Sequence, residues 1–107
     1  MVEIAVNKAE QVALMAREME RAEPELRAFI EDMNEDEQAE LVAILWIGRG
    51  TFEAEEFAEA RATAFAERST PTADYLLATP NLAYDIEAGL DALGVDVAAT
   101  AEDVMGR

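Results

Sequence analysis

Residues 41–50 read LVAILWIGRG, and they contain the longest unbroken run of bulky apolar residues in the chain. The run 41–47 is apolar at every position, which is typical of a helix that is buried on most of its sides. It is far shorter than the roughly 20 apolar residues that a membrane span requires. Gly48 is expected to end the helix, because glycine readily adopts the left-handed conformation of a C-terminal cap. The stretch therefore predicts an apolar central helix near residues 35–47.

The residues before this run predict two further helices. Asn34 is a good N-cap for the central helix, and Glu37 stands at the reciprocal position of a capping box. An apolar stripe predicts a first helix that starts near Glu3 or Asn7 and continues to about residue 22. Pro24 then suits the first turn of a second helix, where its missing N–H is not needed.

The residues after the run predict three more helices. Thr51 is expected to cap a fourth helix over roughly 52–68, with a short fifth helix opened by Thr70 and Pro71. Glycine at position 94 is expected to end the last long helix. Two apolar stripes support these assignments, one on the fourth helix (Ala54, Phe57, Ala58, Ala64, Phe65) and one on the last (Leu82, Ile86, Leu90, Leu93).

No strand alternation of useful length and no internal repeat interrupts this pattern. The predicted fold is therefore all-α. It is a single compact domain of five or six helices, orthogonal or bundle-like, over residues 1–94. Residues 95–107 carry weaker signals and are expected to form a weakly structured C-terminal tail.

The composition argues against most enzyme chemistry. The chain has 107 residues with no cysteine and no histidine, so sulfur-based metal sites and Ser-His-Asp or Cys-His catalysis are excluded. Residues 32–36 have the order D-x-N-x-D, but a calcium loop needs glycine where Glu37 stands and glutamate where Ala43 stands. We therefore expect no catalytic residue, no metal and no cofactor.

The charge balance points to the class of partner. The chain carries 24 acidic and 8 basic residues, a net charge of −16. Nucleic-acid binding requires clustered lysine and arginine, so nucleic acid is not expected as a partner. The same charge favours a protein partner with a basic surface. With no signal peptide and no membrane segment in the sequence, we expect a cytoplasmic protein.

Three segments together resemble a known family. They are residues 45–50 (LWIGRG), 74–80 (DYLLATP) and 87–94 (EAGLDALG). Their order and spacing are similar to those of an uncharacterised bacterial family, the domain-of-unknown-function family 3775, over about residues 26–94. The resemblance implies a small helical protein of unassigned activity, and it supplies no catalytic residues.

The segment Gly48, Arg49, Gly50 has two interpretations. It is either an anion site, in which Arg49 and free backbone N–H groups hold a phosphate or carboxylate, or a corner between two helices. The corner is favoured, because the glutamates that follow compete with an incoming anion for the helix dipole. In the corner, Arg49 either bonds carbonyl groups at the end of the central helix or, as the preferred role, pairs internally with a carboxylate such as Glu40 or Asp74.

Three other side chains complete the candidate ligand or structural ion-pair site, which comprises Trp46, Gly48, Arg49, Gly50, Arg61 and Tyr75. Arg61 lies on the inner stripe of the fourth helix, and Arg68 follows seven residues later. The two arginines either line a cleft for an acidic group or cover apolar surface with their stems, and the second role is favoured. Trp46 and Tyr75 are interpreted as core, or as interface anchors if they are exposed together with Tyr84.

Two functions remain open from the sequence. The first is a non-catalytic protein-interaction module, with a homodimer or other homo-oligomer as one form of it. The alternative is a protein that binds a small anionic molecule, or a weak enzyme, through Arg49, Arg61 and Tyr75. A closed site with Arg49 paired internally would favour the first, and an open pocket lined by these side chains would favour the second.

Overall fold

A computed structural model describes residues 6–67 and 70–94, except for the side chains of residues 6, 19 and 20. Every regular element in these ranges is helical, and the elements form one globule. The all-α prediction is therefore confirmed. In chain order the elements are α1 (Val6–Arg17), α2 (Met19–Glu31), α3 (Glu35–Arg49), a 3₁₀ turn (Ala54–Glu56), α4 (Phe57–Ala66), α5 (Thr72–Leu77) and α6 (Leu82–Ala92).

Helix α3 occupies the centre, as its apolar run predicts. It contacts α4, α5 and α6, while α1 packs on α6 and α2, and α2 packs on α5. Its side chains from 39 to 45 are all buried. Among the described helices, none combines the length and hydrophobicity that a bilayer crossing requires. Among the described residues, the largest apolar side chains that are fully buried are Leu26, Ile30, Leu41, Ile44, Leu45, Leu76 and Ile86.

The start of α3 follows its sequence signal. The Asn34 side chain accepts a hydrogen bond from the Glu37 backbone N–H at 2.8 Å, and the Glu37 carboxylate accepts one from the Asn34 N–H at 3.1 Å. The predicted capping box is therefore confirmed. Within the D-x-N-x-D segment the box accounts for Asn34, while Asp32 is the C-cap of α2 and Asp36 pairs with Arg61.

The end of α3 differs from the prediction. Gly48 lies inside the helix, and Gly50 is the C-cap, with a left-handed φ of 86°. A Cβ atom on Gly48 would lie 1.8 Å from the Asp85 carbonyl oxygen of α6. A Cβ atom on Gly89 of α6 would lie 2.0 Å from the Ile44 carbonyl oxygen of α3. Gly48 thus allows the backbones of α3 and α6 to approach closely. The C-cap of α3 is Gly50 instead.

The predicted first helix is divided in two. Glu18 leaves helical geometry, and α2 begins at Met19, so that Pro24 lies inside α2 and not in its first turn. Helix α1 is described from Val6, close to the predicted start near Glu3 or Asn7. The apolar stripe runs on without a glycine or proline near position 18, which is why the sequence gives no sign of the division.

The fourth helix also begins later than predicted. Thr51 does not cap it; Glu53 caps the 3₁₀ turn through a reciprocal bond with Glu56, and α4 then starts at Phe57. Its buried face is Phe57, Ala60 and Ala64, whereas Ala58 and Phe65 are exposed. Alanine occurs on all sides of this helix, so periodicity cannot select the inner face.

The last two helices are close to the prediction. Helix α5 starts at Thr72 with Pro71 as its cap, one position later than expected. Leu82, Ile86 and Leu90 are buried on α6, as predicted, and Gly94 adopts a left-handed φ of 84° just after it. The predicted tail 95–107 lies outside the described residues.

Candidate functional site

Three of the predicted site residues meet where α3 faces α5. The Trp46 indole N–H donates a hydrogen bond to the Tyr75 hydroxyl oxygen at 3.0 Å. The Arg49 guanidinium Nη1 also donates to this oxygen, at 3.5 Å. The spacing of three residues places Trp46 and Arg49 on one face of α3. The Tyr75 hydroxyl therefore connects both to α5.

Arg49 forms its ion pair with a carboxylate that no sequence pattern indicates. Its Nε atom lies 3.7 Å from the Asp85 carboxylate of α6, which is largely buried. Neither sequence-based candidate is the partner, because Glu40 pairs with Arg61 and Asp74 pairs with Arg27. Asp85 was missed because only the packing of α6 on α3 brings it to Arg49.

Arg61 lies apart from this cluster, between α3 and α4. Its Nε atom donates to the Glu40 carboxylate at 3.0 Å, and its Nη2 atom lies 3.2 Å from the Asp36 carboxylate. Glu40 has no exposed surface. Two carboxylates four residues apart on α3 therefore hold one arginine of α4. Arg68, its proposed companion in a cleft, lies outside the described residues.

The two glycines of the opening stretch have backbone roles. Gly48 faces α6, and Gly50 turns the chain at the end of α3, where its N–H bonds to the Ile47 carbonyl oxygen at 3.0 Å. The next residue, Thr51, donates its N–H to the Trp46 carbonyl oxygen at 2.9 Å. Phe52 then stacks on Trp46, with 5.8 Å between the ring centroids. The segment makes a helix corner that packs one side of the tryptophan.

A small cleft opens beside Trp46 and Tyr75, between α3, α4 and α5. We call it the α3–α4–α5 cleft, and its volume is about 160 Å³. Its wall combines two aromatic, two aliphatic and three polar side chains, which are Trp46, Tyr75, Val42, Ala64, Glu67, Thr70 and Thr72. Trp46 and Tyr75 were candidate residues from the sequence. Glu67 and the threonines were not, because they adjoin the cleft only through the placement of α4 and α5.

The arginines and the lysine of the described residues are engaged by the chain's own carboxylates. Lys8 pairs with Glu37, Arg17 with Glu87, Arg21 with Glu18 and Arg27 with Asp74, in addition to the pairs of Arg49 and Arg61. The hydrogen bond from Lys8 and the Asn34 N–H hold the pKa of Glu37 below its ordinary value. The hydrogen bond to Asp74 raises the pKa of Arg27.

The described residues of the site supply apolar contact surface and hydrogen-bonding groups. In the described part of the chain, no group of three or more acidic side chains lies close enough together to hold a metal ion. The cleft joins aromatic and aliphatic surface to one carboxylate and two hydroxyls. Such a wall is able to contact an apolar stem and to hydrogen bond a polar end.

Comparisons with known proteins place the chain in a family. No curated protein and no solved structure matches it. The family model described as "Protein of unknown function (DUF3775)" matches residues 23–95, which include α3 and the α3–α4–α5 cleft. Because the match covers more than half of the sequence, the chain belongs to the DUF3775 family of proteins of unknown function.

Proposed function

We propose that this protein is a non-catalytic interaction module of the cytoplasm. In this proposal, the α3–α4–α5 cleft receives one anchor side chain of a protein partner. The proposal rests on the volume of the cleft. At about 160 Å³ it is close to cavities of about 150 Å³ that accept one benzene molecule, and well below the roughly 300–1,000 Å³ of small-molecule sites. An anchor side chain in a well-packed pocket is typical of interface hot spots.

The pairing of the arginines supports this function over the binding of a small anionic molecule. That alternative needs Arg49 and Arg61 to face a ligand. Arg49 is engaged by Asp85, and Arg61 by Asp36 and Glu40. An incoming anion would compete with carboxylates already in place, and it would leave Glu40 buried without its arginine.

The charge supports a basic partner and disfavours a second copy of the chain. Two chains that each carry a net charge of −16 repel one another, whereas a basic surface is attracted. Tyr84 is 71% exposed on α6 and Leu14 is 56% exposed on α1, so apolar side chains for a secondary contact are present. We therefore propose a partner other than the chain itself.

A capture experiment with a filled cleft tests the proposal. Ala64 lines the cleft on α4, and Ala62 is exposed on the same helix. The tagged wild type, Ala64→Leu and Ala62→Leu are used as baits in cell extract at moderate salt, after thermal denaturation has shown that each variant folds. We expect a partner that wild type and Ala62→Leu retain and that Ala64→Leu loses. Equal capture by all three baits, or capture by none, would contradict the proposed function.

A further inference from the structure

The side chains in the wall of the cleft indicate which class of anchor side chain would fit there. Val42 and Ala64 offer aliphatic contact, while Glu67, Thr70 and Thr72 bring a carboxylate and two hydroxyl oxygens. Among the described residues, the Glu67 carboxylate forms no hydrogen bond or ion pair, and the residue is exposed. The cleft therefore presents an apolar surface for a stem and, among the described residues, a carboxylate that has no cationic partner.

Resting on the function proposed above, we propose that the anchor is a cationic side chain, lysine or arginine, of a basic partner segment. Its methylene stem lies against Val42 and Ala64. Its charged end is held by the Glu67 carboxylate and lies near the rings of Trp46 and Tyr75. Attraction between a cation and an aromatic ring adds to the charge pair.

Other classes of anchor fit this wall less well. A purely apolar side chain would remove water from the Glu67 carboxylate and the threonine hydroxyls without replacing its hydrogen bonds. An acidic side chain would be repelled by Glu67. Arg49 adds little positive charge to the cleft, because Asp85 pairs with it.

Trp46 provides a direct readout, because it is the only tryptophan and lies in the wall of the cleft. Alanine–glycine peptides that carry a single lysine, arginine or norleucine are titrated into the protein while the indole N–H resonance of Trp46 is followed. Norleucine matches the stem of lysine without the charge. We expect the lysine or the arginine peptide to shift this resonance saturably, and to bind at least about fivefold more tightly than the norleucine peptide.

Two variants locate the charge that is recognised. Glu67→Gln removes the carboxylate of the cleft, and Glu59→Gln removes an exposed carboxylate of α4 outside it. We expect Glu67→Gln to weaken binding of the cationic peptide about threefold to tenfold and Glu59→Gln to change it by less than about twofold. Equal effects of the two variants would overturn the inference, because they would reduce it to attraction by the net charge.

The outcomes for this inference and for the proposed function differ. If the norleucine peptide binds as tightly as the cationic ones, or if none binds, the cationic anchor is overturned. The interaction module would still stand wherever the capture of a partner depends on Ala64. If the capture of a partner does not depend on Ala64, the proposed function is contradicted, even if an isolated peptide binds.

Discussion

At the scale of single residues, Arg61 connects α3 to α4 through charge. It holds Asp36 and the fully buried Glu40 together, and the guanidinium is itself only partly exposed. Removing one partner of a buried pair is costly, because the remaining charge has lost part of its compensation. The stability of the α3–α4 contact therefore depends on this one side chain more than on the surface ion pairs.

Arg61→Met is expected to lower the free energy of unfolding by about 2 kcal/mol, since Glu40 stays buried beside an apolar side chain. Arg17→Met, which breaks an exposed pair with Glu87, is the matched control and should cost at most about 1 kcal/mol. Urea denaturation measures both values. The double variant Glu40→Met/Arg61→Met should recover part of the loss. Equal losses in the two single variants would show that burial of Glu40 does not matter.

At the scale of helices, the contact between α3 and α6 depends on two glycines. Alanine is the better helix former by about 1 kcal/mol, so intrinsic propensity alone would make Gly48→Ala stabilising. The clash with the Asp85 carbonyl oxygen predicts the opposite sign, with a loss of about 3 kcal/mol in the free energy of unfolding.

Gly50→Ala separates this effect from that of the helix end. Nothing lies within 4 Å of a Cβ atom at Gly50, so only the left-handed backbone opposes the change. We expect a cost of about 1 kcal/mol for it, measured in the same denaturation series. A Gly48→Ala variant as stable as wild type would mean that the helices separate without cost.

The start of α3 is expected to contribute to acid sensitivity. The pKa of Glu37 is held below its ordinary value by Lys8 and by the Asn34 N–H, so the folded state binds its proton less readily than the unfolded state does. This contribution is present above the ordinary glutamate pKa of about 4.3 and is lost as the pH falls through the lower folded value. Glu37→Gln should therefore flatten the dependence of the melting temperature on pH in this range, and an unchanged slope would contradict the assignment.

The elements also show how far sequence reasoning extends. The cap at Asn34 and the stripe of α6 were predictable, because each is set by residues that are near in sequence. The role of Gly48 was not, since its reason is the backbone of α6. The inner face of α4 was not predictable either, because alanines lie on all sides of this helix and no face is clearly more apolar than the others.

The same limit applies to the site. Trp46 and Tyr75 could be selected as aromatic side chains of interest, and the structure brings them together. Glu67, Thr72 and Asp85 adjoin them only because α4, α5 and α6 are placed around α3. No local pattern encodes such proximity, so the composition of the cleft follows from tertiary packing.

At the scale of the whole molecule, the surplus of negative charge acts on stability and on binding in opposite directions. Repulsion among like charges destabilises the compact state, and salt screens it with a Debye length of about 10 Å at 0.1 M. We expect the melting temperature to rise between low salt and about 0.2 M sodium chloride, because carboxylates greatly outnumber ion pairs. A fall would show that the ion pairs dominate. Binding of a basic partner should weaken over the same range.

The contact of Gly48 and Gly89 also bears on the motions of the folded chain. The backbones of α3 and α6 approach closely at these two glycines. We therefore expect this contact to resist sliding of one helix over the other. Their separation is expected to require the cooperative opening of the chain between them. Native-state hydrogen exchange should therefore give the middle amides of both helices the same high protection, whereas those of the short α5 exchange sooner. The contact between Gly48 and Gly89 is therefore expected to be among the least mobile points of the described chain.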